Sequence, residues 1–318
     1  MSLALSGIHH VTAVGGDPQK NVDFYTQVLG QRLVKKTVNF DDNSVYHMYY
    51  GDEVGHPGTI MTFFPFPDIR RGRIGNGQVA VTSYAVPLGS LDFWRERLSS
   101  YHCTVFEPST RFGEEALVFT DHDGTMLELV ATEEAGKVAG WAGGPVPAEH
   151  TVRSFYGVTL WVADAPRTGR HLTEVLGWEQ VGSEGARTRY RIADGNFATV
   201  VDVIDRPEQP RGMGGAGTIH HVAFRTPSED DQEEWQVKLA EAGMNVTPVR
   251  DRQYFKSIYY REPGGVLFEI ATDPPGFTLD EEVATLGTDL KLPPWLEDQR
   301  EAIAQSLLPV EVREVDSV

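Results

Sequence analysis

The chain has 318 residues, 40% of them apolar and 23% charged; this is ordinary usage for a folded protein and excludes general disorder and fibrous or coiled-coil composition. With 28 Lys+Arg against 46 Asp+Glu, the formal charge of −18 repels phosphate backbones and anionic lipid, so neither nucleic acid nor a membrane surface is expected as a partner. The single cysteine, Cys103, allows no internal disulfide and no multi-thiolate metal site, and it suits a reducing compartment.

At roughly 100 to 200 residues per domain the length predicts two domains. The opening MSLALSGIHH lacks a leader pattern and no run of about 18 apolar residues occurs, so a cytoplasmic location is expected. In chain order, a strand IHHVTAV precedes a helix ending in DFYTQVLGQRLV (23–34), then the alternating segments TVNFDD, SVYHMYYG and GTIMTFFPF. A second unit runs from VAVTSYAV through the helix SLDFWRERL (90–98) to ALVFTDHDG and TMLELVAT. The stretch 133–150, rich in Gly, Ala and Pro, marks a linker. A third unit follows with YGVTLWV, RHLTEVLGWEQV (170–181), RTRYRIAD and ATVVDVI, and a fourth with IHHVAFR, DQEEWQVKLAEAG (231–243), SIYYREPGG and VLFEIATD. Units one and three share T-x-V-L-G-x-x-x-V at Thr26–Val34 and Thr173–Val181, with Gly30 and Gly177 as left-handed helix caps.

The unit is β-α-β-β-β, repeated four times. The predicted organisation is two units in 1–135, a linker in 136–150, two units in 151–275, and an extension 276–318 with a helix near 294–307. Aligned on their first strands, the units place His10, Ala80, Gly157 and His221 at one equivalent position; their last strands place Thr62, Glu128, Asp202 and Glu269 at another.

Ile-His-His-Val occurs twice, although ten histidines in 318 residues give only about 0.3 His-His pairs by chance. Alternation puts His220 with Val222 and Phe224 on the apolar, helix-covered face and His221 with Ala223 on the roomier one; His10 is the matching choice in unit one. Glu269, within VLFEIA, is costly to bury without a cation. His10, His221 and Glu269 thus make the two-histidine, one-carboxylate set of non-haem Fe(II) oxygenases, and Thr62, a weak metal ligand, leaves positions open. The middle units offer Glu128 and Asp202 without imidazole, either a vestigial cup or ordinary surface and edge-strand carboxylates. Phe63, Phe64 and Phe66 fit an aromatic pocket wall or plain core. AGGP and GMGGAG match no nucleotide-binding motif and read as linkers.

The βαβββ repeats, the paired IHHV strands and GGVLFEIATDPPGFTLDEE resemble the vicinal oxygen chelate superfamily (glyoxalases, bleomycin resistance proteins, extradiol dioxygenases), an α+β fold of cupped mixed sheets. GQRLVKKTVNFDD, VYHMYYGDEVGHPGTIMTFFPF, EPSTRFGE, RYRI and LGTDLK are similar to stretches of its hydroquinone- and catechol-cleaving dioxygenases. The resemblance implies Fe(II), with Mn(II) as the other metal, held by His10, His221 and Glu269. It implies Arg252 and Tyr259 in the substrate pocket, and His9 and His220 behind the metal as orienting or acid–base groups. The implied partners are a small aromatic diol and O2, and the acidic charge still permits a homo-oligomer. A glyoxalase-like metal isomerase and a non-enzymatic small-molecule binder are the alternatives on this fold.

Overall fold

The computed structural model describes residues 3–192 and 197–313; the last two residues of the RTRYRIAD segment lie outside them. Each unit is a βαβββ module. Module one comprises β1 (Ile8–Gly15), α1 (Pro18–Asp23), β2 (Arg32–Asn39), β3 (Asp42–Gly51) and β4 (Ile60–Pro65). Module two comprises β5 (Gln78–Pro87), α2 (Leu91–Ser100), β6 (Ser109–Arg111), β7 (Glu114–Thr120) and β8 (Met126–Thr132). Module three comprises β9 (Ser154–Val162), α3 (Ala165–Arg170), β10 (Glu179–Glu184), β11 (Arg187–Arg191) and β12 (Val200–Asp205). Module four comprises β13 (Thr218–Thr226), α4 (Glu229–Glu241), β14 (Arg250–Asp251), β15 (Lys256–Arg261) and β16 (Leu267–Thr272).

Helix α1 starts where Asp17 accepts the backbone N–H groups of Gln19 and Lys20, with Pro18 in the first turn. It runs into a π-turn, Phe24–Val28, just as α3 runs into His171–Val175. The chain then turns at Gly30 (φ 68°) and Gly177 (φ 75°), a backbone conformation that disfavours a Cβ and accounts for the shared V-L-G. Helices α2 and α4 each sink one tryptophan, Trp94 and Trp235, both fully buried. Truncating either to Ala should cost about 3–5 kcal/mol.

The modules assemble into two eight-stranded mixed sheets, ordered β14-β15-β16-β13-β1-β4-β3-β2 and β10-β11-β12-β9-β5-β8-β7-β6. One sheet joins modules one and four through antiparallel β1 and β13; the other joins modules two and three through β5 and β9. Each sheet has a local two-fold axis, which in the first passes between Val11 and its partner Val222. The segments connecting the sheets run side by side, with bridges Arg71–Ala216, Arg73–Met213 and Asn76–Arg211. The GMGGAG run belongs to this crossing.

The ladder corrects two details of the repeat alignment. Ile8 faces Phe224 and His10 faces Ala223, so His9 is an extra, bulged residue; Thr12 faces His221 and Ala13 faces Ile219, so His220 is another. A bulge breaks strict alternation and re-aims its side chain. His220 therefore does not join Val222 and Phe224 on the covered face but is exposed. In the second sheet the bulges fall at Ala80 and Tyr156. Ala80 is thus the counterpart of His9, and Val81, not Ala80, stands at the position of His10.

The C-terminal extension is a strap rather than an appendage. Phe277 and Leu286 join Val34, Tyr49, Tyr254 and Phe255 in a small second core beneath the first sheet. Fully buried Lys35 of β2 pairs with Asp280 and Glu281 of the strap, each at 2.5 Å. The predicted terminal helix is a 3-10 turn, Pro294–Gln299, leading into α5 (Arg300–Ser306).

Candidate metal centre

β1, β13 and β16 lie side by side in the first sheet, and their registers bring His10, His221 and Glu269 together although 211 residues separate the two histidines. Nε2 of His10 lies 3.2 Å from Nε2 of His221, and Oε2 of Glu269 lies 3.3 Å from the first and 2.9 Å from the second. All three residues are buried. A divalent ion with bonds of about 2.1 Å sets three facial ligands about 3.0 Å apart, so this triangle fits such an ion. Among the described residues it is the only cluster of three ligand groups with this convergence.

Electrostatics support the same chemistry. Burial pushes the Glu269 carboxyl up, but the charges of His10 and His221 outweigh it and hold Glu269 well below the usual carboxylate range. Burial lowers His221 more than Glu269 raises it. The neutral imidazole and the carboxylate are the forms that offer lone pairs to a cation. Ser257 donates to Oε1 of Glu269, leaving Oε2 with no hydrogen bond in a buried setting that calls for a cation.

The bulged histidines complete the arrangement. Nδ1 of His9 lies 2.9 Å from Nδ1 of His10, and Nδ1 of His220 lies 2.7 Å from Nδ1 of His221. With Nε2 of each inner ring left for a metal, its Nδ1–H donates to the outer ring, which then carries its proton on Nε2. The two outer rings differ in access. His9 is buried against Phe255, whereas His220 lines a cavity and approaches Phe64. Burial holds His9 well below the usual imidazole range, while His220, open to solvent on one side, is lowered by the protein packed around its ring and by the charge of His221.

That cavity, about 290 Å³, is floored by His10 and His221 and walled by His47, Phe64, Phe66, His220, Phe255 and Tyr259, with Asp41 and Arg252 also lining it. A cavity of roughly 150 Å³ accommodates benzene, so there is room for one substituted ring. Phe64 and Phe66 are wall, while Phe63 is fully buried core. Arg252 donates from Nε to the Tyr259 hydroxyl at 3.2 Å and from a terminal nitrogen to Asp41 at 3.0 Å. A larger space of about 740 Å³, between module one, the linker and the strap, is lined by Arg32, Lys36, Trp141 and Arg313 and lies away from the histidines. It contains none of the cluster, so the chemistry belongs to the smaller cavity.

The sequence pattern did not single out His47. Its Nε2 lies 2.8 Å from Thr62 Oγ1, its Nδ1 2.8 Å from the Tyr49 hydroxyl, and Thr62 Oγ1 lies 3.0 Å from Thr12 Oγ1. Thr62 therefore has its hydroxyl engaged. The signal that could have found His47 is its place two residues before Tyr49, which faces Thr62 across the ladder as Tyr259 faces Glu269.

The other sheet has the same frame and different contents. Glu128 and Asp202 are buried, at 1% and 3% exposure, which excludes the ordinary surface reading. Arg189 grips Asp202 through two nitrogens at 2.8 and 3.0 Å and reaches Glu114 at 2.6 Å; Arg187 also binds Asp202, and Arg111 binds Glu128. Guanidinium groups supply the cations that this cup needs. A Cβ at Gly157, the counterpart of His221, would come within 2.2 Å of the Val200 carbonyl oxygen, so a histidine has no room there.

The model of the Glyoxalase/Bleomycin resistance protein/Dioxygenase superfamily matches residues 7–129 and 150–270. The chain is 49% identical over 316 residues to the Bacillus subtilis (strain 168) protein named "Putative ring-cleaving dioxygenase MhqO", covering 99% of this chain and 100% of that one. It is 36% identical over 311 residues to the "Chlorohydroquinone/hydroquinone 1,2-dioxygenase" of Sphingobium indicum, covering 95% and 96%. A crystal structure titled "putative dioxygenase" from Bacillus subtilis superposes with a TM-score of 0.94 at 49% identity, covering 98% of this chain and 99% of that one. Glyoxalase I from Zea mays shares the fold alone, with a TM-score of 0.61 at 18% identity over 84% of this chain and 92% of its own. Two βαβββ pairs in matching sheets, together with a family match over most of the length, lead to one conclusion: the chain belongs to the glyoxalase/bleomycin resistance/dioxygenase superfamily.

Proposed function

We propose that the protein is an Fe(II)-dependent, extradiol-type dioxygenase that opens the ring of a hydroquinone- or catechol-like aromatic, with His10, His221 and Glu269 as the metal ligands. One observation carries this reading. The three ligand groups converge under an aromatic-walled cavity, while the place related to Glu269 by the local two-fold axis holds Thr62, whose hydroxyl is already bonded. The names of the relatives at 36–49% identity support the same activity. An isomerase needing a fourth protein ligand is less well served by Thr62.

Iron, when bound, supplies a centre at which a diol oxygen and O2 can meet and exchange electrons. The residues do the rest. His9 and His220 hold the ligand imidazoles in one tautomer and orientation by accepting from their Nδ1–H groups. Phe64, Phe66 and Phe255 exclude water and flank the ring. Burial raises the Tyr259 phenol, so it keeps its proton; accepting from Arg252 Nε, it turns that proton into the cavity to donate to a substrate oxygen. The Arg252 guanidinium stabilises negative charge developing there. His220, whose ring opens on the cavity, offers its Nε2–H to the same end, whereas buried His9 acts only through His10.

The test is oxygen uptake by protein loaded anaerobically with Fe(II), given chlorohydroquinone, methylhydroquinone or catechol. One O2 should be consumed per ring opened with at least one of them. No uptake with any of the three, at full iron occupancy, would overturn the proposal. Protein isolated without chelator should contain about one iron or manganese per chain; zinc or nickel would instead favour isomerase chemistry.

A further inference from the structure

The two-fold axis between β1 and β13 relates every element of the site to a counterpart, and one pair departs from the symmetry in a way that bears on the substrate. Tyr49 corresponds to Tyr259 and Thr62 to Glu269. Counting two residues back along β3 and β15, His47 corresponds to Ser257. Ser257 is a small, buried residue whose hydroxyl donates to Glu269. His47 makes the equivalent bond to Thr62 but carries a ring, and that ring reaches the cavity, which Ser257 does not line.

The imidazole is fixed on three sides. Burial holds the Tyr49 phenol well above its usual range, so it keeps its proton, and its one hydrogen-bond partner is His47 Nδ1. A buried O–H must donate, which makes Nδ1 the acceptor and leaves the proton on Nε2 to donate to Thr62. Its ring packs against those of Phe64 and Tyr49, with centroids 4.3 and 4.1 Å away. With both nitrogens committed and two rings packed on it, His47 offers the cavity a C–H edge for edge-to-face packing and no free nitrogen for proton transfer.

We propose that His47 is a specificity-determining residue, the fixed wall on the module-one side of the cavity against which the substrate's aromatic ring packs, across from Arg252 and Tyr259. This rests on the ring-cleaving reading above and adds how the ring is held. The hydrogen-bonding groups of module four take the oxygens, and His47 with Phe64 takes the ring face.

The test separates ring surface from hydrogen bond. Zn(II)-loaded protein, which does not turn over, is titrated anaerobically with methylhydroquinone by calorimetry, using wild type, His47→Ala, His47→Phe and His47→Gln. His47→Ala should weaken binding about tenfold or more, His47→Phe should stay within about threefold of wild type, and His47→Gln, which keeps a donor for Thr62 without a ring, should resemble Ala. Bound zinc should stay near one per chain in all four. With Fe(II), His47→Ala should raise KM far more than it lowers kcat. Unchanged binding in His47→Ala, or rescue by Gln and not by Phe, would overturn the inference while leaving the ring-cleaving proposal intact. Should His47→Ala fail to fold, the Phe and Gln pair decides alone. If wild type does not bind methylhydroquinone, the four proteins are titrated with chlorohydroquinone and catechol; failure of wild type to bind any of the three would overturn this inference, while the ring-cleaving proposal stands or falls on oxygen uptake.

Discussion

Glu269 illustrates how much depends on single atoms: Oε1 accepts from Ser257, while Oε2 faces two imidazole nitrogens with no proton donor of its own. If these three residues hold the metal, replacing His10, His221 or Glu269 by Ala leaves two ligands, and affinity should fall by about 10- to 100-fold or more. Metal content after dialysis against a weak chelator checks this. Asp202→Ala should leave metal content at the wild-type level but cost about 3–5 kcal/mol of stability, because Arg187 would lose its carboxylate partner and buried Arg189 one of its two. Urea denaturation of the variant reads that cost. His10, His221 and Glu269 could be picked out in the sequence because duplication left the doublet in two modules and removed it from two. His47 did not stand out by repetition, since one histidine in SVYHMYYG has no repeat partner and its counterpart is a serine; only its spacing from Tyr49, the counterpart of Tyr259, points to it. Nor did the arginines of the other cup, which the carboxylate positions alone do not reveal. The offset of Ala80 has a mechanical origin: a bulge adds a residue to the strand without adding a place in the ladder.

Among the elements, the four βαβββ modules were legible because alternation and the V-L-G helix ends recur, whereas the strap was not. Phe277 and Leu286 follow no period, so the segment after Asp273 looked like an addition, yet they pack against Tyr49 and Tyr254 beneath the site. The Lys35 contacts fasten it: the ammonium lies against the Tyr254 ring, whose hydroxyl donates to Asp280. Lys35→Met should cost about 3–5 kcal/mol by leaving buried Glu281 and half-buried Asp280 without their shared cation. Adding Asp280→Asn and Glu281→Gln should recover part of it. Chemical denaturation of the single and triple variants measures both; a triple variant less stable than Lys35→Met would show that the ion pairs do not fasten the strap.

Over the whole molecule, burial depresses the folded-state titration of His9, His47, His171 and His221, with His171 falling to about 4. Unfolded imidazoles titrate near 6.5. Above about pH 6.5 both states are neutral and nothing is lost. Below it the unfolded chain binds more protons, so stability falls with pH, by up to about 1.4 kcal/mol per pH unit for each imidazole, and levels off below the folded values. Metal-free protein should therefore lose stability steeply from pH 6.5 to 5. His171→Leu, far from the metal cluster and bonded only to Tyr260, should shallow that slope by about one proton. A flat profile in the wild type would contradict the buried, neutral state of these rings.

The pairing of β1 with β13 also dictates when the site can exist. Modules two and three lie in one continuous stretch and can close their own sheet, held by the arginine cluster, while β1 waits for a partner more than 200 residues later. Such long-range contacts form slowly, and during synthesis they cannot form until β13 and β16 have left the ribosome. The central sheet, which lost its imidazoles, thus becomes the platform on which the ends of the chain are brought together. Truncating the chain before Thr218 should therefore leave the arginine cup folded and the first strand, with its unmatched edge, exposed to aggregation.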